Sequence, residues 1–98
     1  MARFKLIVEV EAYDDIEQAY NWYAARSESA ADDFRSELRA AQERAASQPE
    51  WAEQHILNTR RISLRRFPYS IIFRQIDDTV VIIAVAHAKR DESFWQDR

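Results

Sequence analysis

The sequence predicts an α+β fold in the order β-α-α-β-β-β, a helical hairpin packed on a small, mainly antiparallel four-stranded sheet. Three observations carry this. Apolar and charged residues alternate near the start of the chain. Apolar residues recur at three- and four-residue spacing through its middle. They alternate again, or run together, through its last third. At 98 residues the chain has the length of one domain and can bury only about 60–65% of the surface it exposes when unfolded. Residues 1–98 are therefore expected to form a single domain.

In the first strand Phe4, Leu6, Val8 and Val10 alternate with Arg3, Lys5 and Glu9, and Ile7 breaks the alternation, pointing to partial cover of the second face. Asp14 and Asp15 stand where an N-cap and a first-turn acid belong, ahead of Ile16, Ala19, Tyr20 and Tyr23 at helical spacing. The chain turns around Ser27 to Ser29. Phe34, Leu38, Ala41 and Ala45 then repeat at three and four residues until Gln48-Pro49 ends the pattern, because proline restricts the residue before it. So short a connection implies an antiparallel hairpin, whose alanine-rich stripes suit close packing on a sheet. Strands over Thr59–Phe67, Tyr69–Ile76 and Thr79–His87 follow, the last two joined by a two-residue Asp77-Asp78 turn. Aspartate tolerates positive φ better than most residues other than glycine. The final strand, VVIIAVA, is apolar on both faces and is expected inside the sheet, with the helices over one side. The chain contains no glycine, which is unusual for a layout with so many turns.

Cysteine is absent, which excludes a disulfide framework and a thiolate nucleophile. The most apolar run, Val80 to Ala86, is far too short to span a bilayer, and the opening Met-Ala-Arg-Phe-Lys leads into alternation rather than the apolar stretch of a signal peptide. A cytoplasmic protein with no membrane partner is the expectation. His55 and His87, the only histidines, fall in separate strand regions, so neither a metal nor another cofactor is expected. The net charge of -3 conceals an asymmetry: residues 1–54 carry 6 Lys/Arg against 12 Asp/Glu, net -6, and residues 55–98 carry 8 against 5, net +3. The second half can thus present a local positive face on an acidic molecule.

The residues that could carry chemistry cluster in that half. Alternation places Arg61, Ser63 and Arg65 opposite Ile62 and Leu64, while His87, Lys89 and Arg90 end the last strand, so one shared cationic patch is geometrically accessible. Arg60, Arg61, Arg65 and Arg66 can grip phosphate or an acidic partner, or simply form a solvated face. His87 can act as a base near neutral pH, or be a hydrogen-bonded structural residue. Phe67-Pro68-Tyr69 reads as a turn between strands. Tyr20, Trp22 and Tyr23 read as packing residues, one of which could anchor a partner helix. The acid pairs Asp14-Asp15, Asp32-Asp33 and Asp77-Asp78 are explained by capping and turns, with no catalysis assigned.

The layout, with the segments AYDDIEQAYNWYAARS, ADDFRSELRAAQERAASQPE and RRISLRRFPYSIIFRQIDDTVVIIAVAHAKRDESFW, resembles the RelE/ParE toxin superfamily, plasmid-stabilisation type, over essentially the whole chain. The most specific feature is Arg-x-x-Leu-x-x-Phe-Pro-Tyr, followed by a hairpin ending in Ala-x-x-His-x-x-Arg and a terminal aromatic pair. The resemblance implies the toxin of a type II toxin–antitoxin module. Such a protein binds a cognate antitoxin tightly, meets operator DNA only through the antitoxin complex, and when free poisons DNA gyrase or translating ribosomes.

Metal-independent RNA cleavage needs a base, cations for the phosphorane charge and a donor for the leaving oxygen. Arg61, Arg66, His87, Lys89 and Arg90 are the residues that would supply them. The RNA-cleaving branch carries an arginine after the aromatic that opens the middle strand, where this chain has Ser70. It also carries a tyrosine or histidine near its end, where this chain has Phe94 and Trp95, which transfer no proton. The ParE-like reading, a non-enzymatic gyrase poison, is therefore preferred over the ribosome-dependent mRNA endonuclease. A non-toxic member that binds antitoxin and operator stands as a third reading. Arg60, Arg61, Arg65, Arg90, Phe94 and Trp95 are the candidates for antitoxin or target contact. A four-stranded sheet with a two-helix cover also leaves edge strands that a partner would protect.

Overall fold

The structure is a computed structural model and describes residues 3–98, so Met1 and Ala2, part of the opening read above, lie outside the described residues. Strand β1 (Lys5–Val8) leads into helices α1 (Val10–Ala24) and α2 (Glu28–Ser47). Strands β2 (Glu53–His55), β3 (Thr59–Ser63), β4 (Tyr69–Ile76) and β5 (Thr79–His87) follow, with short 3-10 turns at Pro49–Trp51, Ile56–Asn58 and Glu92–Trp95. The sheet order is β1-β5-β4-β3-β2, antiparallel throughout except for β1, which runs parallel to β5.

The α+β order stands as expected, and the sheet has five strands rather than four. The added strand, β2, is wholly polar and pairs only with β3, so it carries no apolar alternation to betray it. Strand β3 ends at Ser63, short of Phe67; one further bond, from the Leu64 amide to the Tyr69 carbonyl, precedes a loop holding Pro68. Strands β4 and β5 keep their expected bounds, and Asp77 turns between them at φ 54°. Leu57 and Asn58 also take positive φ, so Leu, Asn and Asp fill the positions that glycine would usually occupy.

Helix α1 begins at Val10, four residues before the expected cap. The Glu9 amide still donates to the Ile82 carbonyl and its own carbonyl accepts from Tyr13, so one residue joins strand to helix. Val10 is therefore an exposed first-turn residue rather than strand, and Asp14 and Asp15 lie inside the helix, not at its start. Asp32 and Asp33 likewise fall past the first turn of α2, whose cap is Ser27, accepting from the Ala30 amide. Ile7 is 50% exposed, so the second face is uncovered there.

The helices cover one sheet face, where Phe34, Leu38, Ala41, Ile71, Phe73, Val80, Ile82 and Val85 form the main core. A bulge leaves Ile83 unpaired between the Ile72–Ala84 and Phe73–Ile82 pairs. On the other face Trp95 lies over Ile72, Ile83, Ala84 and Ala86. Both faces of β5 are thus buried, which accounts for its unbroken apolar run.

Candidate functional site

The residues expected to form one cationic patch are divided among three places. On the second face, beside β2, Arg61 donates to Glu53 at 2.7 Å, while its Nε is buried without a partner. Arg60 points the other way along the strand and donates to the carbonyls of Ala52 and Glu50, tying β3 to the turn before β2. In the β3–β4 loop Glu37 of α2 accepts from the Arg65 amide at 2.8 Å, the Arg66 amide at 3.2 Å and Arg66 Nε at 2.6 Å, and Asp33 lies 3.6 Å from the same guanidinium. Burial opposes ionisation of Glu37, but Arg66 and the two amides outweigh it and hold its pKa below the usual glutamate value. Arg66 is thus committed to two carboxylates, whereas the Arg65 and Lys89 side chains are exposed.

His87 and Arg90 do meet. They line an open cleft of about 580 Å³ between α1 and the ends of β4 and β5, with Gln18, Trp22, Pro68 and Tyr69. The Lys89 amide donates to His87 Nδ1 at 3.0 Å, so in the neutral ring the proton sits on Nε2. The imidazole stands edge-on to Tyr69, 5.0 Å between centroids. Burial, reinforced by Tyr23 and opposed by Arg90, raises the Tyr69 pKa, which keeps its hydroxyl neutral. Tyr69 belongs to an aromatic cluster with Tyr23, Phe34 and Phe67, which is how the Phe67-Pro68-Tyr69 turn is fixed.

Arg90 stacks over the Phe94 ring at 3.6 Å. Trp95, expected as a contact residue, is 1% exposed and packs as core instead. At the head of β4 Ser70 faces Ser63, their hydroxyls 3.0 Å apart, on the same sheet face as Arg61. Sequence reasoning missed Gln18, which α1 supplies; it named Trp22 only as a packing residue that could anchor a partner helix, and it placed Asp14 and Asp15 at the helix start as N-cap and first-turn acid. Asp15 falls on the buried stripe of Ala12 and Ala19, beside the half-buried Ile16, and that spacing was the available signal. Among the described residues no group of three or more His, Cys, Asp or Glu could hold a metal ion, and no helix is long and apolar enough to cross a membrane. The cleft can accept an apolar or aromatic group with acceptor atoms turned to Arg90, His87 Nε2–H and the Tyr69 hydroxyl.

A family model described as the ParE toxin of type II toxin-antitoxin systems, parDE, matches residues 6–92. No curated protein matches the sequence. Among solved structures, the chain resembles one from the chromosomal ParDE system of P. aeruginosa, with a TM-score of 0.78 at 17% identity, over 88% of this chain and 97% of that one. It also resembles a chain of the RelBE2 toxin-antitoxin complex of Mycobacterium tuberculosis, with a TM-score of 0.62 at 19% identity, over 91% and 97%. A mutant of the E. coli toxin RelE in the free state gives 0.59 at 16% identity, over 95% and 92%.

Proposed function

The chain belongs to the ParE family, toxins of type II toxin-antitoxin systems, and on that premise we propose that it acts in the cytoplasm as one toxin domain, poisoning DNA gyrase until a cognate antitoxin neutralises it. The observation that carries the choice of target is the Ser63–Ser70 pair at the head of β4. The RNA-cleaving branch that the chain resembles carries an arginine at the Ser70 position, suited to take up phosphorane charge, and two hydroxyls supply no such cation. Two further features agree. Arg61 and Arg66 are held by Glu53, Glu37 and Asp33 rather than free for phosphate. Phe94 and Trp95 offer no group for proton transfer. No catalysis by the toxin itself is then required.

The antitoxin would bring a segment with apolar anchors and acidic residues. It fits the groove of about 510 Å³ beside the helix pair, whose floor includes Leu6, Val8, Ile16 and Leu38 and whose rim carries Arg35 and Arg39. The segment would continue towards Arg65, Arg90 and Phe94; of the other contact candidates, Arg60 is held by the Glu50 and Ala52 carbonyls, Arg61 by Glu53, and Trp95 by the core. Operator DNA would be met only by that complex. The endonuclease reading draws on one observation, the meeting of His87, Tyr69 and Arg90 in a single cleft; of the other cations that reading calls for, Lys89 follows His87 closely in the chain, while Arg61 and Arg66 pair with carboxylates elsewhere.

The deciding experiment expresses the chain alone and assays DNA supercoiling and mRNA integrity in parallel within minutes. Loss of gyrase activity with intact mRNA is expected. Rapid mRNA cleavage with supercoiling intact would transfer the function to the endonuclease reading, and undisturbed growth would point to the non-toxic member.

A further inference from the structure

Strand β1 pairs with β5 only as far as Val8 opposite Ile82, and the chain then leaves the sheet to begin α1. Beyond that point β5 has β4 on one side and no strand on the other. A parallel neighbour opposite Ala84 would donate its N–H to the Ile83 carbonyl and accept from the Val85 N–H. Side chains make both bonds instead: Arg98 Nη1 donates to the Ile83 carbonyl at 3.2 Å, and the Val85 amide donates to Asp15 Oδ2 at 3.1 Å. The two side chains are themselves joined, Arg98 Nη1 to Asp15 Oδ2 at 2.7 Å and Nη2 to Oδ1 at 3.2 Å, with 15% and 5% of their side-chain surfaces exposed.

We propose that residues 91–98 form a releasable strap, that the Asp15–Arg98 pair is its clasp, and that the site it closes accepts an extended protein segment carrying a lysine or arginine. The strap is also fastened by His55 Nε2 to Glu92 Oε1 at 2.6 Å, and Trp95 is its apolar anchor over Ile72, Ile83, Ala84 and Ala86. Lifting it uncovers three things together: the Ile83 carbonyl as an unpaired backbone acceptor on β5, an apolar strip, and the buried carboxylate of Asp15, which keeps the Val85 amide. The first two suit any added strand. The third selects, because a buried carboxylate that loses its cation is strongly disfavoured, so only a segment that returns a positive charge to Asp15 replaces the strap at low cost. Arg98 and Arg90 also lie over the one Phe94 ring, at 5.0 and 3.6 Å, so release of the clasp reaches the rim of the His87 cleft.

Native-state hydrogen exchange on the full chain, followed by NMR, tests the strap. The Val85 amide is expected to exchange through the same partial opening as the Gln96 and Arg98 amides, at least about tenfold faster than Phe73. Exchange of Val85 only through the global unfolding that exposes Phe73 would overturn it. In Arg98→Ala, Val85 should lose protection while Phe73 keeps it, and Arg98→Lys should recover part of it; equal losses at both amides would count against a local device. For the acceptor site the probe is a short peptide of alternating Val and Thr with one central Arg, added to Arg98→Ala. Restored Val85 protection is expected from this peptide and not from its central-Glu counterpart, and no difference between the two refutes the selection. Should Arg98→Ala fail to fold, the same pair of peptides is added to the wild-type chain, where only the Arg peptide should bind and alter Val85 exchange.

Discussion

Leu57 sits at φ 57° and ψ 38°, a left-handed conformation that costs an ordinary residue about 1–2 kcal/mol. It is kept there by neighbours: Thr59 Oγ1 donates to the Ile56 carbonyl and Arg74 to the Leu57 carbonyl. The side chain is 52% exposed, so little burial offsets the strain. Leu57→Asn should therefore stabilise the chain by about 0.5–1 kcal/mol, since asparagine tolerates this region, and a lower thermal midpoint would refute the strain. Asp15 is the opposite case, a charge buried where its bonds demand it. Asp15→Ala leaves the Val85 amide and the Arg98 guanidinium without their acceptor and should cost about 3 kcal/mol in denaturant unfolding; a loss below about 1 kcal/mol would mean that the pair is no clasp. Neither residue could be read in the sequence, whereas the turn at Asp77 could, because its conformation depends on its immediate neighbours. The role of Asp15 depends on a residue 83 positions away.

The β3–β4 loop shows how one residue of an element can hold another element. Glu37 of α2 gathers two backbone amides and the Arg66 guanidinium, so Glu37→Ala should cost about 2 kcal/mol and speed amide exchange at Arg65 and Arg66, with β4 and β5 unaffected. Because its folded pKa lies below the unfolded value, the carboxylate's contribution is fully present above the unfolded glutamate pKa, and it fades as the pH falls through the folded one. Wild type should thus lose stability towards Glu37→Ala as the medium is acidified below about pH 4.5; a gap between them that does not narrow refutes the assignment. Among the elements, α2, β4 and β5 were legible from their apolar periods, while the start of α1 was not. Asp14-Asp15 resembles a cap, but the amide of Glu9 is claimed by β5, which draws the helix start forward to Val10. Strand β2 escaped because its three residues are polar and its pairing partner supplies the only evidence of it.

At the scale of the whole molecule the charge asymmetry is offset in part by ion pairs between the two halves of the chain. Acids of the first half, Asp15, Asp33, Glu37 and Glu53, meet Arg98, Arg66 and Arg61 of the second. What is left for a partner is narrower than the expected patch: Arg65, Lys89 and Arg90 around one end of the sheet. Most of the stability has to come from the core beneath the helices, where Phe34 is fully buried among Tyr23, Phe67 and Tyr69. Phe34→Ala should cost about 4 kcal/mol and lower the thermal midpoint by more than about 15 °C; a shift of a few degrees would place the centre of the core elsewhere. By itself the sequence determined the α+β class, the order of the long elements and the tight turn between β4 and β5, since each follows from apolar periods or conformational preferences within a few residues. The tertiary structure alone decided where α1 begins, that a fifth strand exists, and which arginines are left for partners. Those outcomes rest on pairings between distant residues, and a hydrogen bond or ion pair across the fold leaves no period in the chain that makes it.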